Sequence, residues 1–277
     1  MAGALINGID VYYEVSGGGP PLLFINGSGS TIDGVRPLIG LFDPAFQVAV
    51  ADSRGVGRTS VPDAAYAMAD FASDAIGLAD HLGWHTFNLI GVSFGGMVAQ
   101  EVAVTAPERI QRLVLMCTSS GGMGGSSYPL HELAQLEPEQ QAGLSAQVKD
   151  TRFTPEWLSA HPQERALLDQ LARQPSQELT ADAERGTGLQ LQARAGHDVF
   201  DRLPRINSPT LVASGRYDGI APPENGAAIA AQIPRAELRL YDGGHGFFLQ
   251  DPTAIPEIID FLRTGPRRSA ADSPNTR

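Results

Sequence analysis

Residues 87 to 98 read Phe87-Asn88-Leu89-Ile90-Gly91-Val92-Ser93-Phe94-Gly95-Gly96-Met97-Val98. The apolar run from Phe87 to Ile90 predicts a buried strand. Val98, Val102 and Ala103 predict the apolar face of a helix that follows it. Between the two stands a serine with glycine two residues before and two residues after. A chain that passes from strand to helix in so few residues leaves no space for side chains at those flanking positions. The turn lifts the Ser93 hydroxyl above the sheet, and the first amides of the helix point at the same spot, where they favour developing negative charge. Ser93 is therefore the candidate nucleophile. The competing reading is an ordinary glycine-bounded turn, and the strand before and helix after argue against it.

The same alternation extends in both directions. Leu5-Ile6 and Val11-Tyr12-Tyr13 flank the turn dipeptide Asn7-Gly8 and predict a hairpin-like opening. Leu22 to Ile25, Phe46 to Val50, Leu113 to Met116, Thr210 to Ala213 and Leu238 to Tyr241 predict further strands. Phe71, Ala75, Leu78, Ala79 and Leu82 recur at helical spacing, and helices are also expected over Ala227 to Ile233 and Ile255 to Leu262. Strands buried on both faces and separated by helices indicate an α/β fold with a mostly parallel sheet and right-handed crossovers. From Tyr128 to His197 no strand pattern occurs, and Gln, Ala, Leu and Glu, good helix formers, predominate. The expected organisation is a core of residues 1–118 and 198–264, an inserted helical cap over 119–197, and a disordered, proline-punctuated tail over 265–277.

A nucleophilic serine needs a base. Of the six histidines, His81 and His85 bracket the end of the helix before the Ser93 strand, on the wrong side of the sheet. His131 and His161 fall in the cap, and His197, near the return from the cap, is a weaker alternative. His245 follows the last strand within Asp242-Gly243-Gly244-His245-Gly246-Phe247, at the C-terminal end where an open α/β sheet places its sites. The base in turn needs an acid to fix its tautomer. Asp218, in Gly215-Arg216-Tyr217-Asp218, also follows a strand, whereas Asp242 lies only three residues from His245, a poor geometry for orienting the ring. The other position open to an acid, after the strand preceding the cap, reads Cys117-Thr118-Ser119 and offers no carboxylate. Ser93, Asp218 and His245 are the expected catalytic set.

With the order Ser…Asp…His, the chain resembles the α/β-hydrolase superfamily over nearly its whole length. Asn26-Gly27-Ser28-Gly29 resembles the family's His-Gly oxyanion loop. Asp52-Ser53-Arg54-Gly55-Val56-Gly57-Arg58-Thr59-Ser60 resembles its Asp-x-Arg-Gly-x-Gly-x-Ser segment, and Gly244-His245 before Asp251-Pro252 its histidine motif. The resemblance implies an α/β-hydrolase fold and an oxyanion hole formed by the backbone amides of Ser28 and Phe94, with Asn26 standing where the family commonly has His. A serine nucleophile sets the chain apart from the dehalogenases and epoxide hydrolases of this fold, which use Asp. The chain resembles instead the esterase, enol-lactonase and cofactor-free haloperoxidase branches, and among these its short helical cap and length look most similar to 3-oxoadipate enol-lactonase-like proteins. The implied activity is hydrolysis of a carboxylic ester or lactone. Carbon–carbon bond hydrolysis, cofactor-free haloperoxidase or perhydrolase chemistry, and a ligand receptor on a hydrolase scaffold are the alternatives.

Composition narrows the partners. The formal net charge of −11 over 277 residues, with no basic stripe, excludes nucleic-acid binding and disfavours anionic membranes. No apolar stretch approaches the ~20 residues of a membrane span, and no signal peptide is evident. The single cysteine, Cys117, precludes an intrachain disulfide and fits a reducing compartment. A cytoplasmic monomer or homodimer without cofactor or metal is expected. Ile220 and Phe247, next to the acid and base, are candidate pocket residues. Met123 and Trp157, with Tyr128 and Phe153, are candidates in the cap, where packing the cap onto the sheet is the rival role. Apolar candidates and an acidic chain favour small neutral esters or lactones.

Overall fold

Asn7 and Gly8 both take positive φ, 50° and 81°, the geometry of a two-residue hairpin turn whose twist matches the strands it joins. They connect β1 (Ala2–Ile6) to β2 (Ile9–Gly17) with Ile6 opposite Ile9. Six more strands follow: β3 (Pro21–Ile25), β4 (Gln47–Ala51), β5 (Phe87–Val92), β6 (Ile110–Met116), β7 (Thr210–Gly215) and β8 (Ala236–Tyr241). Helices intervene: α1 (Ile32–Ile39), α2 (Met68–His81), α3 (Phe94–Thr105), α4 (Leu130–Leu133), α5 (Pro138–Lys149), α6 (Pro155–Ala160), α7 (Pro162–Ala172), α8 (Ala181–Ala195), α9 (Pro223–Gln232), α10 (Phe247–Gln250) and α11 (Ala254–Thr264). This computed structural model describes residues 2–133, 137–172 and 180–265. Apart from Gly265, the tail expected over 265–277 lies outside the described residues.

The eight strands form one sheet in the order β1-β2-β4-β3-β5-β6-β7-β8. β2 runs antiparallel to β1 and β4, and all other neighbours are parallel. This is the α/β-hydrolase fold expected from the sequence, with helices on both faces. Successive side chains on a strand point to opposite faces, and the two cores show it. Leu23, Leu89, Leu113, Leu115 and Val212 pack under α2, α3 and α9. Leu22, Phe24, Val48, Ile90, Val114 and Leu211 pack under α1 and α11. The apolar pattern over Val98, Val102 and Ala103 understates α3, which is buried on every side from Phe94 to Val104.

Strand order reverses between β3 and β5, since β4 lies beyond β3 on one side and β6 beyond β5 on the other. Such a reversal opens a crevice at the C-terminal ends of the two strands. Helices α4 to α8 fall between β6 and β7, where no strand occurs among the described residues. No helix of the described chain is long and apolar enough to cross a membrane.

Candidate active site

The segments leaving β3 and β5 meet at this crevice. Ser93 has φ 56° and ψ −116°, a strained backbone for a residue with a side chain. Its neighbours explain how the strain is held. A Cβ on Gly91 would come within 2.2 Å of the Gly95 carbonyl oxygen, and a Cβ on Gly95 within 2.1 Å of the Ile25 carbonyl oxygen. Only glycine at both positions lets the turn close and α3 approach the end of β3. The Ser93 amide donates to the Met116 carbonyl at 2.8 Å, and Thr118 Oγ1 donates to the Ser93 carbonyl at 2.7 Å.

The structure brings the three candidate catalytic residues into one line. Ser93 Oγ lies 3.0 Å from His245 Nε2. His245 Nδ1 lies 3.0 and 2.9 Å from the two carboxylate oxygens of Asp218. With its proton on Nδ1, the imidazole donates to Asp218 and accepts from the Ser93 hydroxyl. The Asp218 side chain is fully buried, and its Oδ1 also accepts the Ile220 and Ala221 amides at 2.8 and 2.9 Å. Those amides fix the carboxylate and offset its loss of water. Asp242 is instead a surface residue paired with Arg152 at 3.3 Å.

The Asn26–Gly29 loop borders the same point. A Cβ on Gly27 would lie 3.7 Å from Ser93 Cβ. Neither the Ser28 nor the Phe94 amide is engaged elsewhere among the described residues. Among the described residues the Asn26 amide group is buried without a partner, as is Ser28 Oγ. Below the loop, buried Asp52 accepts the Ile32 amide at 2.7 Å and the Arg58 amide at 2.9 Å, tying the Asp52–Ser60 segment to the start of α1.

Sequence reading missed the braces around this site. The turn after α5 clamps both the acid and the base loops. His245 N donates to the Lys149 carbonyl at 2.6 Å, and Thr151 N to the Tyr217 carbonyl at 2.8 Å. Buried Asp150 accepts from Arg152 N, Nε and Nη2 at 3.1, 2.9 and 2.7 Å. It also accepts from Gln250 Nε2 at 2.9 Å, and Gln250 Oε1 accepts the Gly244 amide at 2.8 Å. On the other flank, Gln190 of α8 accepts the Gly29 amide at 2.7 Å. No local pattern marks Asp150, Gln190 or Gln250, because their partners are distant in the chain.

The candidate pocket residues scatter. Met123 is 88% exposed, which corrects its placement in a pocket: its 3₁₀ turn carries the side chain outward. Phe247 belongs to the core beneath the histidine loop, stacked on Tyr241 with ring centroids 5.0 Å apart, so its expected pocket role is likewise corrected. Trp157 stacks on His161 at 3.7 Å. Ile220 packs with Leu133 and Val148 where the α4–α8 segment meets the sheet. Cys117, φ 42°, sits beside the triad, its Sγ within 4.8 Å of ligand atoms of Asp218 and His245. Burial pushes its thiol well above the ordinary value, and the other two groups already engage each other.

A model of the alpha/beta hydrolase fold family matches residues 20–252. A poly(3-hydroxyalkanoate) depolymerase from Ectopseudomonas oleovorans is 31% identical over 90% of this chain and 86% of its own. The 3-oxoadipate enol-lactonase 2 of Acinetobacter baylyi is 28% identical over 87% of each. The crystal structure of the enol-lactonase from Burkholderia xenovorans LB400 superposes with a TM-score of 0.76 at 22% identity, covering 95% of this chain and all of that one.

Proposed function

The chain belongs to the α/β-hydrolase family, and from that premise we propose that it is a serine hydrolase cleaving a carboxylic ester or lactone through an acyl-enzyme on Ser93. The observation that carries the reading is the unbroken Ser93–His245–Asp218 hydrogen-bonded line above a strained strand-to-helix turn. A lactonase among the relatives supports the substrate class.

Ser93 Oγ attacks the substrate carbonyl as His245 Nε2 takes its proton. The carbonyl oxygen becomes an oxyanion that accepts hydrogen bonds from the Ser28 and Phe94 amides, each such donor being worth roughly 10²–10³ in rate. The carbon–oxygen bond to the leaving group breaks, and His245 returns the proton to the departing oxygen. Water then attacks the acyl-enzyme with the same histidine as base, and the acid and free Ser93 are released. Asp218 holds the imidazole tautomer and stabilises its cation. Helices α4 to α8 act as a cap over the site. Their contacts to the loops of Gly29, Tyr217 and His245 support that role.

Labelling by a fluorophosphonate and hydrolysis of p-nitrophenyl esters test the reading. Wild type is expected to label and turn over, Ser93→Ala to do neither, and Asp218→Asn to lose about 10⁴ in kcat. Equal labelling of wild type and Ser93→Ala would overturn it.

A further inference from the structure

At the junction of the α4–α8 segment with the sheet lies a cavity of about 170 Å³. Ser119, Ser126 and Ser127 line it from the chain after β6, Met97 from α3, and Arg194 and His197 from the end of α8. Its volume exceeds that of one water several-fold, enough for a carboxylate on a short carbon arm. Arg194 is only 7% exposed, yet no carboxylate lies within ion-pair distance of it among the described residues. Its Nη2 donates to the Tyr128 carbonyl at 3.0 Å, and its Nε is buried without a partner among the described residues. Both ring nitrogens of His197, 6% exposed, also lack hydrogen-bond partners among the described residues. Glu101 lies 3.9 Å from His197 Nδ1 and is bound to Arg202 by two hydrogen bonds.

A buried guanidinium without a counter-charge is costly, and so is a buried imidazole with neither nitrogen satisfied. The two line one cavity with Ser119, Ser126 and Ser127. The Ser119 and Ser127 hydroxyls bond each other at 2.9 Å, and Ser119 Oγ also accepts from Asn225 Nδ2 at 2.8 Å, so the guanidinium and the imidazole are the groups that suit the cavity to a small anion. The planar guanidinium is suited to a carboxylate in particular. Two of its lining residues adjoin the segments that hold the proposed nucleophile. Met97 is about one helical turn, roughly 6 Å of rise, from Ser93, and Ser119 follows Thr118, whose hydroxyl binds the Ser93 carbonyl.

We propose that this cavity is a carboxylate subsite, in which Arg194 and His197 bind a carboxylate borne by the ester or lactone a few bonds from its scissile carbonyl. The proposal rests on the serine-hydrolase reading and replaces the neutral substrate expected from composition with an anionic one. It runs against the chain's net charge of −11, which repels an anionic substrate, so a preference for one requires a local cation.

The test compares kcat/KM within two probe pairs, each an anion and its neutral isostere. Mono-4-nitrophenyl adipate against 4-nitrophenyl hexanoate carries the charge on the acyl side. 6-Acetoxyhexanoate against hexyl acetate carries it on the alcohol side. Wild type is expected to prefer the anion in at least one pair. Arg194→Met is expected to lose roughly 10- to 100-fold on that anion, the scale of one charge-assisted hydrogen bond, with the neutral partner unchanged and Arg194→Lys intermediate. No anion preference in either pair overturns the proposal, and this comparison needs only wild type, so it holds even where a variant does not fold. Equal losses by Arg194→Met on both members of a pair also overturn it, marking Arg194 as a tether for Tyr128. Neutral-ester turnover and Ser93 labelling without anion preference defeat the subsite alone. Loss of labelling defeats the serine-hydrolase reading.

Discussion

Replacing Asp150 with asparagine keeps the volume and removes the charge. Two donors converge on each of its oxygens: Arg152 N and Nε on Oδ1, Arg152 Nη2 and Gln250 Nε2 on Oδ2. An amide accepts on one oxygen only, so two of the four donors lose their acceptor and face an NH₂ group instead. With the residue 1% exposed, water does not replace the lost bonds. At roughly 1.5–3 kcal/mol for each charge-assisted bond, moderated by the partial exposure of Arg152, Asp150→Asn is expected to destabilise the fold by about 3–5 kcal/mol. Activity falls too, because Gln250 holds the Gly244 amide beside His245. A displacement of about 1 Å at the base costs on the order of 10² in kcat. Urea unfolding measures the first effect, and p-nitrophenyl ester turnover at a temperature where both proteins are folded measures the second. The effect on kcat should exceed that on KM, since the imidazole and not the substrate is displaced. An Asp150→Asn protein within 0.5 kcal/mol (roughly the spread of neutral surface substitutions) and twofold of wild-type kcat would refute the brace.

Two other changes probe separate parts of the molecule. Gly95→Ala would drive a Cβ to 2.1 Å from the Ile25 carbonyl oxygen and 2.5 Å from that of Asn26. Backbone must therefore move, and a loss of about 1–3 kcal/mol or more with a fall in kcat of about 100-fold is expected in melting and turnover assays. His197 supplies a pH signature. Burial, aided by the Arg202 charge and opposed by Glu101, pushes its imidazole down to about 4 from 6.5. Between those values the unfolded chain binds a proton that the folded chain does not. Its contribution is thus complete above pH 6.5 and is lost as pH falls towards 4, by about 3 kcal/mol in all. Urea midpoints at pH 7.5 and 4.5 should differ less in His197→Gln than in wild type.

Much of the fold was legible because its signals are local. Apolar runs such as Leu22 to Ile25 pack on both faces of a parallel sheet, and Asn7-Gly8 carries its turn type in its own stereochemistry. The pocket residues were misjudged where adjacency in sequence stood in for adjacency in space. Phe247 follows the histidine loop closely, but the chain enters α10 there and turns the ring into the core, while Met123 sits on a turn that faces outward.

That Ser93, His245 and Asp218 would meet could be expected from sequence because the fold delivers strand C-termini to one edge and a tight turn dictates its own residues, and the three are hydrogen-bonded in the structure. The partners joined by Asp150 and Gln250, or by Gly29 and Gln190, are 100 and 161 residues apart. The same is true of Arg194 in its cavity: its identity is written in the sequence, but the lack of a carboxylate beside it among the described residues is a property of everything folded around it. Hydrogen bonds and desolvation act over a few ångströms of space, whatever the separation along the chain. Only the tertiary structure decided which buried polar groups of the described residues are satisfied and which are not.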